Sequence, residues 1–97
     1  MTCQTVIDIP VAEGKYEELR GWLRQILPDS RAFHGSVSVE VYRDQNDPSS
    51  VVLLEKWNSR ADYDAYLAWR GETGMIEQLS AFMDGELRIR VLDPAGV

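Results

Sequence analysis

This sequence is short of the residues on which much small-protein chemistry is built. In 97 residues it holds one cysteine, Cys3, and one histidine, His34. A single cysteine excludes an internal disulfide and a cysteine metal cluster. A single histidine excludes a multi-histidine zinc or iron centre within one chain. Cationic residues are outnumbered, 10 Lys and Arg against 16 Asp and Glu, for a formal net charge of -6. That balance argues against a sequence-independent nucleic-acid binder, which needs positive charge to displace counterions from phosphate. No apolar run approaches the roughly 18 residues of a membrane helix. The start, "MTCQTVIDIP", lacks the basic end and long apolar stretch of a signal peptide. The expectation is a cytoplasmic protein with neither nucleic acid nor membrane as partner, in one domain over residues 1–97.

What is present is regular. In "TCQTVIDIPV", Thr5, Ile7 and Ile9 alternate with Gln4, Val6 and Asp8, which reads as a strand ending near Pro10. Tyr16, Leu19, Trp22, Leu23, Ile26 and Leu27 follow helical spacing, and Pro28 predicts that the helix stops at Leu27. "GSVSVEVYRD" alternates Val37, Val39 and Val41 against Ser38, Glu40 and Tyr42. "QNDPSS" then predicts a turn into a third strand, Val51 to Trp57. Ser59 with Asp62 fits the start of a helix running to about Arg70. "GETG" interrupts it before a second helical piece carrying Met75, Ile76, Leu79, Phe82 and Met83. Leu87, Ile89 and Val91 alternate with Arg88 and Arg90 as a last strand. Strand, helix, strand, twice over, is the ferredoxin-like split βαβ arrangement: α+β, a four-stranded antiparallel sheet with its helices on one face.

Strand three is apolar on both faces, Val51 and Leu53 against Val52 and Leu54. Helices can cover only one of them, and an exposed apolar sheet face marks an interaction site. The economical partner is a second copy of the chain, so a two-fold homodimer through the sheet face is expected.

The segment "FHGSVSVEVYRDQNDPSS", followed by "VVLLEKWNSRADYDAYL", resembles the antibiotic biosynthesis monooxygenase family. The parts that carry the likeness are Gly35 before strand two, the "VYRDQNDP" hairpin, the Glu-x-Trp of Glu55 and Trp57, and the helix after it. The resemblance implies a dimeric α+β barrel. In some members it also implies oxidation of polyphenolic or anthrone-type substrates by O2 with no metal or flavin, hence no cofactor. In the quinone-forming members a Trp at the place of Trp57 and a Tyr at that of Tyr63 line the site. Leu53 and Glu77 stand where those enzymes carry Asn and Arg. Leu53 offers no donor to a developing anion, and an ionised Glu77 would oppose one. Haem-degrading relatives carry an axial histidine on the helix after the Glu-x-Trp strand, and no histidine lies between Arg60 and Phe82.

Trp57 reads either as a core tryptophan or as a pocket wall for an aromatic ring. Tyr63, Tyr66 and Arg70 share one helical face, which either packs on the sheet or offers two phenols and a guanidinium to a ligand with oxygen substituents. Tyr42 joins them only if its face of strand two turns toward the helices. His34 is either a solvated loop residue or the general base that takes a phenolic proton. Asp8 is a second candidate base, provided it lies buried beside Trp57. Two readings follow. One is a cofactor-independent monooxygenase of a small aromatic, with His34 or Asp8 as catalytic base and Trp57, Tyr63, Tyr66 and Arg70 binding substrate. The other is a non-catalytic dimeric module that holds a small aromatic ligand in the same place.

Overall fold

A computed structural model describes residues 2–97. Four strands, β1 (Cys3–Pro10), β2 (Ser36–Arg43), β3 (Ser50–Trp57) and β4 (Arg88–Leu92), form one antiparallel sheet in the order β2-β3-β1-β4. The helices are α1 (Tyr16–Ala32), α2 (Arg60–Glu72) and α3 (Met75–Ser80). The central pair β1 and β3 is in register from Cys3 opposite Trp57 to Pro10 opposite Ser50. The split βαβ architecture expected from the hydrophobic alternation is the one observed.

The period of two assigns each strand residue to a face. Cys3, Thr5 and Ile9 of β1 and Val51, Leu53, Glu55 and Trp57 of β3 are buried under the helices. The intervening Val6, Asp8, Val52 and Leu54 are half-buried on the opposite, open face. A bulge between Ser36 and Ser38 shifts the β2 register, and Val37 at the bulge is 51% exposed. Two apolar clusters fill the layer between sheet and helices. One is aliphatic and centres on Ile9, Leu19, Leu23, Leu27, Val51 and Leu53. The other is aromatic, with Trp57, Tyr63 and Tyr66 around Cys3.

The helices depart from the sequence reading at two places, the end of α1 and the end of α3. α1 does not stop at Leu27; it continues through Pro28 to Ala32. Proline removes one backbone donor and crowds the carbonyl four residues earlier, which by itself disfavours the extra turn. Tertiary bonds outweigh that cost: Arg70 donates to the Ile26 carbonyl at 2.9 Å and to Ser30 Oγ at 2.7 Å. α2 starts as expected, with Ser59 Oγ accepting from the Asp62 amide at 3.1 Å. Gly74, at φ 76°, separates α2 from α3. α3 ends at Ser80, so Phe82 and Met83 lie beyond it, Met83 bridging Val11.

Candidate functional site

β3 delivers Trp57 to the end of the sheet, where the face of α2 that carries Tyr63, Tyr66 and Arg70 covers it. The Trp57 ring centroid is 4.7 Å from Tyr66 and 6.1 Å from Tyr63. Phe33, from the α1–β2 connection, stands edge-on to Trp57 at 6.4 Å and to Tyr66 at 5.4 Å. Trp57 is 0% exposed and Tyr63 1%. The three aromatic residues singled out in the sequence are thus brought together in a closed cluster, with the half-buried Phe33 packed against its outer side.

The same alternation that turns Val51, Leu53 and Trp57 inward also turns Glu55 inward. Its carboxylate is 2% exposed, and Oε1 accepts from Trp57 Nε1 at 3.2 Å and from Thr5 Oγ1 at 3.3 Å. Burial pushes the Glu55 pKa above the usual carboxylate range; those two hydrogen bonds and the Arg70 charge pull the other way but do not cancel it. Among the described residues no donor reaches Oε2. Tyr63 is affected similarly: burial, with the Glu55 charge adding to it, pushes its pKa up to about 12. The Tyr63 hydroxyl is buried and has no hydrogen-bond partner among the described residues. An unpartnered buried hydroxyl is uncommon enough to need a reason, such as a bound water or ligand atom. Glu55 is half of the Glu-x-Trp motif, and the motif alone does not show that its carboxylate is buried. The signal available was a carboxylate in the inward phase of an apolar strand.

Tyr66 and Arg70 turn their polar atoms toward α1. The Tyr66 hydroxyl is 2.6 Å from Ser30 Oγ and accepts from Arg70 Nε at 3.0 Å. The guanidinium also lies over the Trp69 ring at 4.5 Å. This 4% exposed cation is held by neutral oxygens and aromatic faces, with no carboxylate in salt-bridge contact among the described residues. The pair makes a rigid wall behind Trp57.

The other candidates lie apart from this cluster. His34 is 92% exposed, with Nε2 3.7 Å from Asp62 Oδ1. Asp8 is out of phase with Ile7 and Ile9, so it occupies the open face, opposite Val52 of β3 and Arg88 of β4. The condition set for it, burial beside Trp57, is not met. Tyr42 is also on the open face, 49% exposed, and donates to Glu40 at 2.9 Å. Leu53 belongs to the aliphatic cluster, and Glu77 is exposed in the first turn of α3. No three of the described His, Cys, Asp and Glu side chains converge as a metal-ligand set. No described helix is long and apolar enough to cross a membrane.

The family model for antibiotic biosynthesis monooxygenases matches residues 5–71. No curated protein matches the sequence. Among solved structures, a conserved protein from Methanosarcina mazei Go1 is similar over 95% of this chain and 91% of its own, at TM-score 0.87 and 18% identity. Rv0793 from Mycobacterium tuberculosis is similar over 100% and 98%, at TM-score 0.85 and 20% identity. A mutant of SnoaB from Streptomyces nogalater, described as a cofactor-independent oxygenase, is similar over 99% and 95%, at TM-score 0.84 and 14% identity. Likenesses at these identities establish a shared fold. The family match begins at Thr5 within β1 and ends one residue before the close of α2, and so includes Phe33, Glu55, Trp57, Tyr63, Tyr66 and Arg70. On that match the chain belongs to the antibiotic biosynthesis monooxygenase family.

Proposed function

We propose that the protein is a cofactor-independent monooxygenase that oxidises a small aromatic or polyphenolic substrate with O2, and that Glu55 is its base. The observation that carries this reading is the buried Glu55 carboxylate, bonded through Trp57 Nε1 and Thr5 Oγ1 and flanked by an unpartnered phenol on Tyr63. A carboxylate whose pKa is raised by burial takes and returns a proton nearer neutrality than an exposed one does.

In an anthrone-type substrate, Glu55 would remove a proton from the carbon that becomes the carbonyl. The resulting carbanion transfers an electron to O2, and the two radicals recombine as a carbon-bound peroxide anion, which takes that proton from Glu55 as the hydroperoxide. Loss of water then leaves the quinone carbonyl, so that one CH2 and one O2 become one C=O and one H2O. In that step Glu55 removes the second proton from the same carbon as the O–O bond breaks, and the departing hydroxide takes that proton to leave as water. Tyr63, kept neutral by its high pKa, donates a hydrogen bond to the peroxide oxygen, in the place Leu53 cannot serve. Trp57 stacks the ring, and Tyr66 and Arg70 hold the wall behind it. Substrate reaches Trp57 by displacing Phe33, whose connection also carries His34. The half-buried apolar stripe of Val6, Val52 and Leu54 on the open face supports a homodimer with sheet packed on sheet.

A second reading, a non-catalytic small-molecule-binding protein, is favoured by one observation: the Trp57 cluster is closed. Oxygen uptake by the purified protein, given a panel of anthrones and hydroquinones, separates the two. Uptake above the uncatalysed rate, lost in a Trp57→Phe, Tyr63→Phe variant, is expected. Ligand quenching of Trp fluorescence without uptake across the panel would favour the binding module.

A further inference from the structure

A cleft of about 320 Å³ lies away from Trp57, between α1 and the second half of β2. Its size is at the lower end of the range for small-molecule sites, about 300–1,000 Å³. Leu23, Leu27 and Val51 from the aliphatic core form the floor, with Val41, 40% exposed, at the side. The rim is cationic. Arg20, Arg24 and Arg31 come from one stripe of α1, and Arg43 from the end of β2. Four of the chain's ten cationic residues therefore surround one cleft in a protein of net charge -6, and no carboxylate side chain among the described residues lines it.

The partners of these arginines sharpen the point. Among the described residues, only Arg20 of the four has an acid in ion-pair contact, Glu17 at 3.5 Å. Arg31 donates through Nε and Nη2 to the Val39 carbonyl at 3.2 and 3.0 Å, which caps part of the β2 edge. Arg43 donates to the Pro48 carbonyl at 2.8 Å and lies over the Tyr16 ring at 3.7 Å. Arg24 has no hydrogen bond or ion pair among the described residues. A guanidinium presents a planar fork suited to carboxylate, and several of them on one rim repel each other until an anion arrives.

We infer that this cleft binds a small apolar carboxylic acid, its carboxylate between Arg24 and the neighbouring arginines and its hydrocarbon or aromatic body on the Leu23–Leu27–Val51 floor. The apolar floor argues for a monoanion with a greasy body over inorganic phosphate, which would leave that surface wet. The site shares no residue with the Trp57 cluster, so it stands or falls apart from the oxygenase reading.

The test is calorimetric titration of the whole protein with octanoate and with benzoate, against octanamide and inorganic phosphate, with amide shift mapping by NMR. Binding of the carboxylates, with shifts at Leu23, Val41 and Val51, is expected. Arg24→Gln, which removes no internal bond, should weaken octanoate about tenfold. Arg90→Gln, on the open sheet face, should leave it unchanged. The inference is overturned by no binding, by octanamide binding as well as octanoate, by phosphate binding as tightly as either acid, or by indifference to Arg24→Gln. Shifts of the same residues on concentrating the protein alone would also overturn it, because a second copy would then be the occupant.

Discussion

The hydroxyls of Tyr66 and Ser30 lie 2.6 Å apart, joining α2 to the last turns of α1, and Arg70 bonds both. This triangle keeps α1 helical past Pro28 and fixes the ring that Trp57 packs on. Removing one corner leaves the other two bonded to each other but takes one partner from each, in a dry setting where an unsatisfied group costs about 1–3 kcal/mol. Tyr66→Phe is therefore expected to destabilise the protein by about that amount, with Ser30→Ala similar. The double variant should cost less than the sum, because the two share one interaction. Denaturant unfolding of the four proteins measures this; strict additivity would contradict it.

Tyr63 predicts the opposite sign on the neighbouring turn. Its hydroxyl has no partner among the described residues, so Tyr63→Phe removes a desolvation penalty and loses no hydrogen bond to them. Stability should stay level or rise, while Tyr66→Phe falls. The phenol that ionises at about 12 should also vanish from the alkaline absorbance titration of the variant.

Glu55 makes stability depend on pH in a direction contrary to most carboxylates. Its folded pKa is raised, so the folded state holds the proton more tightly than the unfolded chain does. The contribution is fully present below the unfolded pKa and is lost as pH rises through the folded one. Glu55→Gln should remove that decline, so that the stability difference between wild type and variant shifts against wild type as the pH is raised. Unfolding free energies of the pair across mildly acid to neutral pH test it. A difference that is flat with pH would contradict the burial argument.

Gly35 cannot be replaced cheaply. Its φ is +87°, and a Cβ there would run into the Asp62 side chain. Its carbonyl also accepts from the Asn58 amide at 2.8 Å, tying the α1–β2 connection to the start of α2. Gly35→Ala should cost on the order of 1–3 kcal/mol. Removing the whole Asp62 side chain as well, in Gly35→Ala with Asp62→Gly judged against Asp62→Gly alone, should recover only the part due to the clash, since Ala at 62 would keep the colliding Cβ. Thermal unfolding of these variants separates collision from backbone strain.

The sheet and its topology were legible because alternation and turn chemistry are local. β1, the β2–β3 hairpin and the Ser59 cap follow from neighbouring residues alone. The end of α1 was not legible, since the residue that carries the helix past Pro28 is Arg70, far along the chain. Asp8 shows a different limit. Its chemistry suits a base, while its phase against Ile7 and Ile9 puts it on the face away from Trp57. Glu55 is the converse, a carboxylate whose phase with Leu53 and Trp57 marked it as buried. The closure of the Trp57 cluster depends on Phe33, which no periodicity connects to α2. The cationic cleft likewise exists only once α1 lies along β2 and brings Arg43 to the stripe of Arg20, Arg24 and Arg31.

The central claim is that a buried carboxylate starts the oxidation, and the pH dependence of O2 uptake tests it most directly. Substrate-dependent uptake by wild type should rise along an acid limb as Glu55 loses its proton. That limb should sit above the usual carboxylate range. In Glu55→Gln the limb should disappear and the rate fall by about 10²–10⁴-fold, the usual worth of a positioned base. His34→Ala should leave both rate and limb in place. Uptake that persists in Glu55→Gln with an unchanged profile would contradict the account and return the search for a base to the surface of the molecule.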